Sequence, residues 1–212
     1  MESKLMELSC ESFATHVAAK ESVPGGGAVS AYVGALGVAL GSMVANFTTG
    51  KAAYSHVEDD IQRILARAEE VRVRLLELAD EDAEAFYPLS QAFALPKDEP
   101  QRAVVIEKAT KAAIIAPFGM VKMISEALDL LEELAEKGSR MLLSDVGCGA
   151  ALCKSALESA ALNVFINTSA LNDKVYAQSI EAECDQLLHD YLPKAERIYA
   201  QVMNTIRGGE TS

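Results

Sequence analysis

The chain reads as an all-α protein, a helical bundle of five or six long helices, one of them a buried glycine-rich helix. Three observations predict it. Apolar residues recur at steps of three and four along extended stretches. No segment alternates with period two over a useful length. The apolar content is mostly Ala, Leu, Val and Ile, with no Trp and only 6% aromatic residues, a balance that favours helices over an all-β fold. Half of the 212 residues are apolar, enough for a sizeable core. The length suits a single helical domain over 1–212.

A short first helix is expected over about Ser9–Lys20, broken by "ESVPGGG". A second runs from the glycines to about Phe47. From Ser22 to Gly50 this stretch carries no charged residue, long enough to cross a bilayer. Its apolar residues are largely Ala, Gly and Val, with only two leucines; Ala, Gly and Ser contribute little insertion energy, and no Lys or Arg cluster flanks it. It is therefore read as a core or subunit-interface helix. Gly34, Gly37 and Gly41 line one face, where another backbone can approach closely. Ser55 and Glu58 have capping-box spacing and open a third helix to about Ala94. Its stripe runs Ile61, Ile64, Ala68, Val71, Leu75, Ala79, Phe86, Leu89, Phe93, with a kink expected at Pro88. Asp98 and Gln101 suggest a second capping box, followed by a helix bent near Pro117 and ended by Gly138. A second charge-poor helix is expected over about Ser144–Leu171. The last spans about Asp173–Ile206 with a kink at Pro193, and "RGGETS" reads as a frayed tail.

The net charge of −12 argues against nucleic acid or an anionic membrane as the main partner. Cys10, Cys148, Cys153 and Cys184 form no C-x-x-C pair and read as free or buried thiols of a reducing, cytoplasmic setting. The scattered histidines have no metal-ligand spacing, so no metal is expected. "MESKLMELSCESF" lacks the pattern of a secretory signal.

Several residues break the pattern. Asp82 lies three after Ala79 and four before Phe86, so a carboxylate sits in an apolar stripe. Burial without a partner would be costly, and it either has a structural partner or lines a functional cavity. Asp80, Glu81 and Glu84 read as a solvated acidic face. Asp145, after Ser144, either stabilises a helix start or serves a site. Asn163 and Asn167 share a helix face and serve inter-helix bonding or ligand recognition; Asn46 raises the same question. The three glycines before a helix leave backbone N–H groups free, a setting for a ligand carbonyl, carboxylate or oxyanion. Lys97 is either a solvated lysine or a cation for an anionic ligand. These features suit a small organic ligand and do not name one.

Three segments, "VPGGGAVSAYVGALGVALGSMVANFT", "DEDAEAFYPLSQAFALPK" and "LLSDVGCGAALCKSALESAALNVFIN", resemble in this order the cyclodeaminase domain of formiminotransferase-cyclodeaminase and the stand-alone methenyltetrahydrofolate cyclohydrolases of that family. The resemblance runs from about Leu8 to Tyr199. It differs at Ala28, where relatives often carry a small hydroxyl residue, and at Cys148, where an aliphatic residue is common. It implies an all-helical homodimer with a folate site. It further implies hydrolysis of 5,10-methenyltetrahydrofolate to 10-formyltetrahydrofolate, with formiminotetrahydrofolate cyclodeaminase or a non-catalytic folate-binding bundle as alternatives. Transferase activity is not expected of this chain. On the resemblance, Asp82 and Asp145 form the acid/base and electrostatic pair. Pro24, Gly25, Gly26, Gly27, Ser144, Asn163 and Asn167 hold the substrate, and Lys97 meets its glutamate carboxylates. No cofactor is implied, the folate being substrate.

Overall fold

Six α-helices and three short 3-10 turns account for most of residues 4–208, the part of the chain that the computed structural model describes. The helices are α1 (Cys10–Ala18), α2 (Gly26–Asn46), α3 (Glu58–Ala94), α4 (Arg102–Lys137), α5 (Leu143–Ser169) and α6 (Lys174–Ile206). No strand occurs among the described residues. Of the expected tail, Arg207 and Gly208 form a turn after α6, and 209–212 lie outside the described residues.

Local chemistry sets several of these boundaries. The Ser9 side chain accepts from the Ser12 N–H at the start of α1, and Asp173 accepts from Tyr176 N–H at the start of α6, each satisfying a donor the helix leaves open. Gly138 ends α4, as expected, donating its N–H to Leu134 O. Neither expected capping box forms. Ala52–Val57 is a 3-10 turn, and α3 starts only at Glu58. The Glu58 carboxylate turns back to accept from Thr49 Oγ1, Gly50 N and Gln62 Nε2, so the preceding loop claims it. At α4 the Gln101 N–H donates to Glu99 rather than Asp98, and Arg102 donates to the carbonyls of Leu95 and Phe93. The helices run on through Pro88, Pro117 and Pro193.

In the bundle, α3, α2, α5 and α6 are successive neighbours, and α4 packs against all four. The α3 stripe is buried at Ile61, Ile64, Val71, Leu75 and Ala79. Its last aromatics emerge, with Phe86 37% and Phe93 51% exposed. That far half of α3 pairs with the start of α4 in a smaller cluster of Leu89, Ala92, Ala109 and Ala113.

The expected glycine face of α2 is used inside the chain. Gly34 packs against Ile124 and Leu75, and Gly41 against Leu131 and Leu134. At Gly37 the helix meets α5: an added Cβ would lie 2.6 Å from Cys153 Sγ and 3.0 Å from Gly149 O. Reciprocally, a Cβ on Gly149 would lie 2.9 Å from Gly37 O. The backbones touch, which only a residue without a side chain permits. By length and composition α2 could span a membrane, yet 56% of its most apolar window is buried within this chain.

Overpacking this crossing is expected to be costly. Gly37→Ala should destabilise the fold by about 1–3 kcal/mol, read as a lower midpoint in urea unfolding with an unchanged slope.

Candidate functional site

The crossing runs α2 and α5 antiparallel, so the first turn of α2 faces the last third of α5. A Cβ built on Gly26 would meet the Asn163 amide at 3.5 Å. Between these elements and α3 lies a cavity of about 280 Å³. Gly25, Gly26 and Gly27 form one wall, Asn163, Ile166 and Asn167 a second, and Asp82, Phe86 and Leu89 a third. Ser22, Val23 and Ala113 complete the lining. The volume is near the lower bound for small-molecule sites, and the mix of apolar wall and few polar groups is usual for them.

Asp82 is the only ionisable residue in this lining. The α3 stripe leaves the core here: Ala79 is fully buried, Asp82 half-buried, Phe86 exposed at the rim. Loss of solvent pushes the Asp82 carboxyl up to about 6, opposed by a hydrogen bond from the Ala28 N–H. The two effects have different origins. Desolvation disfavours the charged form; the N–H at the positive end of α2 favours it. One of the helix-start donors expected to be free for a ligand is thus already bound to the carboxylate.

The amides are tethered along their own helix. Asn163 Nδ2 donates to Ser159 O at 2.8 Å, and Asn167 Nδ2 to Asn163 O at 2.9 Å and to Ala113 O at 3.5 Å. Among the described residues neither Oδ1 has a protein donor, which leaves two acceptors beside the cavity. Asn167 also links α5 to α4 through Ala113 O, which is the inter-helix bonding expected of it.

Other expected site residues lie elsewhere within this chain. Ser144 and Asp145 are in the first turn of α5, eighteen residues before Asn163, a separation of about 27 Å at helical rise. Lys97 is exposed on the α3–α4 loop, outside the lining. Pro24 follows a cis peptide bond and borders a separate cavity with Leu5, Leu8 and His16. Asn46, the last residue of α2, is exposed. The acidic face divides: Glu81 pairs with Arg74 at 2.6 Å, whereas Asp80 Oδ1 is buried with no partner among the described residues. Missing from the sequence-based list are Ser22, Val23, Phe86, Leu89, Ala113 and Ile166. Phe86 and Ile166 had a signal, one lying four residues after Asp82 and the other between the two asparagines. Ala113 had none, because only the packing of α4 brings it here.

Known proteins resemble this chain over most of its length. Residues 9–186 match the family model described as formiminotransferase-cyclodeaminase. The chain is 36% identical over 200 residues to a methenyltetrahydrofolate cyclohydrolase of Methylorubrum extorquens, covering 92% of this chain and 96% of that one. It is 31% identical over 193 residues to the mouse formimidoyltransferase-cyclodeaminase, covering 89% of this chain but only 36% of that longer protein. The crystal structure of a formiminotetrahydrofolate cyclodeaminase from Thermotoga maritima superposes with a TM-score of 0.82 at 32% identity, covering 97% of this chain and 98% of that one.

The raised carboxyl has a stability consequence. The folded protein holds the Asp82 proton up to about pH 6, above the unfolded value, so this contribution is full below about pH 4 and lost as pH rises through 6. Asp82→Asn removes the charged form. It should raise the melting temperature at pH 8, by at most about 3 kcal/mol in stability terms, and leave it nearly unchanged at pH 4. Calorimetry at the two pH values checks this.

Proposed function

Because the chain belongs to the formiminotransferase-cyclodeaminase family, we propose that it is a single-domain cytoplasmic enzyme hydrolysing 5,10-methenyltetrahydrofolate to 10-formyltetrahydrofolate, reversibly. The observation that carries this reading is the lone carboxylate in an otherwise uncharged cavity. Such a site suits a ligand whose reacting centre is a cation, and the methenyl bridge is an N–C–N cation. Two relatives match over nearly the whole of both chains, and the higher identity, 36% to the cyclohydrolase against 32% to the cyclodeaminase, places hydrolysis first.

The chemistry needs water and proton transfer. A water oxygen adds to the bridging carbon, the C=N⁺ π pair moves onto nitrogen, and the water proton passes to the Asp82 carboxylate. The adduct then collapses: its hydroxyl releases its proton to solvent and becomes the formyl C=O, the bond from carbon to N5 breaks, and N5 takes the proton held by Asp82. Asp82 serves as base in the first step and as acid in the second, and its charge stabilises the cationic substrate. Gly25, Gly26, Gly27, Asn163 and Asn167 hold the ring system. No oxidation state changes, and the reading needs neither metal nor redox cofactor. Neither nucleic acid nor membrane enters it. Lys97 and Pro24 are outside the cavity and contribute, on this reading, only to parts of the substrate that project from it.

Deamination is the second reading, supported by the likeness to the Thermotoga maritima protein. There a folate nitrogen attacks the formimino carbon and ammonia leaves with a proton from the same carboxyl. The third is a non-catalytic folate-binding bundle. Methenyltetrahydrofolate and formiminotetrahydrofolate, each incubated with the protein, separate the three. Loss of the methenyl chromophore above the blank marks hydrolysis, its appearance marks deamination, and silence in both assays overturns the enzyme. For hydrolysis, kcat/KM should rise with pH to a plateau above about 6, and Asp82→Asn should lower kcat by about 10²–10⁴-fold.

A homodimer belongs to this reading. The outer sides of α2 and α5, neighbours in the bundle, expose Leu36, Phe47, Leu162 and Ile166, and α2 carries no charge. Ser144 and Asp145 enter the site only if a second copy brings the start of its α5 across this face. A two-fold pairing has that geometry, because it sets each end of α5 against the other end in its partner. Mixing inactive Asp82→Asn and Asp145→Asn proteins should then restore about a quarter of wild-type activity, as half the dimers are mixed and each has one intact site. No recovery after the two proteins are unfolded and refolded together would overturn the shared site, and an Asp145→Asn protein with wild-type activity would remove Asp145 from the mechanism.

A further inference from the structure

The three consecutive glycines are not equivalent. An added Cβ on Gly25 would have Ser22 O as its nearest neighbour at 3.8 Å, and one on Gly26 would touch the Asn163 amide at 3.5 Å. Both are ordinary van der Waals distances. On Gly27 the added Cβ would lie 2.3 Å from Asp82 Oδ2 and 2.6 Å from both Cγ and Oδ1. The carboxylate therefore occupies the volume that any side chain at 27 would fill. Gly27 is itself buried in the first turn of α2, with regular helical backbone, so no special dihedral angle calls for glycine there.

We propose that Gly27 is a positioning residue for Asp82: its missing side chain lets the carboxylate dock on the first turn of α2, against the Ala28 N–H, at one fixed place in the cavity. Gly27 also lines the cavity, and its effect on the chemistry passes through Asp82. Asp82 extends from the middle of a rigid helix, and its carboxylate meets α2 end-on. With the volume at 27 filled, the carboxylate rotates off the Ala28 N–H into the cavity mouth. Among the described residues no other charged group lines the cavity, and Lys4 sits beside Asp80 and Glu84 in a neighbouring one. α2 carries no charge, the cavity walls from α4 and α5 supply Ala113, Asn163, Ile166 and Asn167, and on α3 itself Glu81 is held by Arg74, leaving Asp80 and Glu84 as further carboxylates.

This inference rests on the enzyme reading for its kinetic arm alone. Four proteins test it: wild type, Gly27→Ala, Asp82→Ala and the double variant. In the wild-type background Gly27→Ala should lower kcat for methenyltetrahydrofolate about 100-fold, the usual cost of misplacing a catalytic group by about 1 Å, with KM little changed. Gly26→Ala should lose less. Gly27→Ala should also lower the melting temperature, whereas in the Asp82→Ala background, where the clash is gone, the same change should leave it unaltered. The Asp82 carboxyl, followed by ¹³C NMR titration without substrate, should titrate closer to an ordinary aspartate in Gly27→Ala, because the water regained outweighs the lost Ala28 N–H, the smaller of the two effects on this group. Equal losses of melting temperature in both backgrounds, or an unmoved titration midpoint, would overturn the positioning role. If wild type turns over neither folate, the enzyme reading fails, and the melting and titration arms still decide the role of Gly27. Should Gly27→Ala fail to fold, recovery of folding in the double variant supports the proposal, and failure of both while Asp82→Ala folds overturns it.

Discussion

Gly37 and Gly149 bring the backbones of α2 and α5 into contact, and the position of the cavity follows from that contact. Each glycine occupies the space that a side chain on the other would need. The crossing fixes how far α2 slides along α5. That register sets Gly26 opposite Asn163, about three helical turns from the crossing on α2 and about four on α5. Leu131 of α4 fills the remaining space against both Gly41 and Gly149, so the close approach is locked from behind.

Around this frame the charges are distributed unevenly. Ion pairs tie α3 to α4 through Arg63–Glu133 and Arg67–Glu126, and α4 to α6 through Lys194 with Asp129 and Glu132. They lie at the surface, where each contributes little to stability, and they keep the strongly negative chain well solvated. α2 and α5 bear almost none of this load. The cavity between them is left without competing charge, and Asp82 is poorly solvated there. Its carboxyl is held above its ordinary value. The same burial that makes it useful as an acid or base near neutral pH is a local cost to stability, which the α3 stripe immediately before it offsets by burying Val71, Leu75, Leu78 and Ala79.

Much of this was legible in the residues. The helical period gives five or six helices, the first of them short, to within a few residues at most ends. Asp82 stood out because a charge cannot sit in an apolar stripe without a reason. The three motif segments supplied the family. The errors are equally specific. Ser55 and Glu58 have the spacing of a cap, but the loop at Thr49 and Gly50 competes for the same carboxylate and wins it. Phe93 continues the stripe in sequence, but no third helix reaches far enough to cover it. Asp80 looked like one of several solvated acids, yet neighbouring segments bury one of its oxygens.

Composition and periodicity, by themselves, determined an all-helical chain with an uncharged glycine helix and one carboxylate out of place, because these depend on contacts a few residues apart. Which partner each face meets was decided only by the tertiary structure. The glycines of α2 turned inward to α5 and α4, Gly27 rather than its neighbours received Asp82, and Asp145 went to the far end of α5. Those outcomes depend on how helices distant in sequence slide past one another, and the spacing of residues along a single helix carries no record of that register.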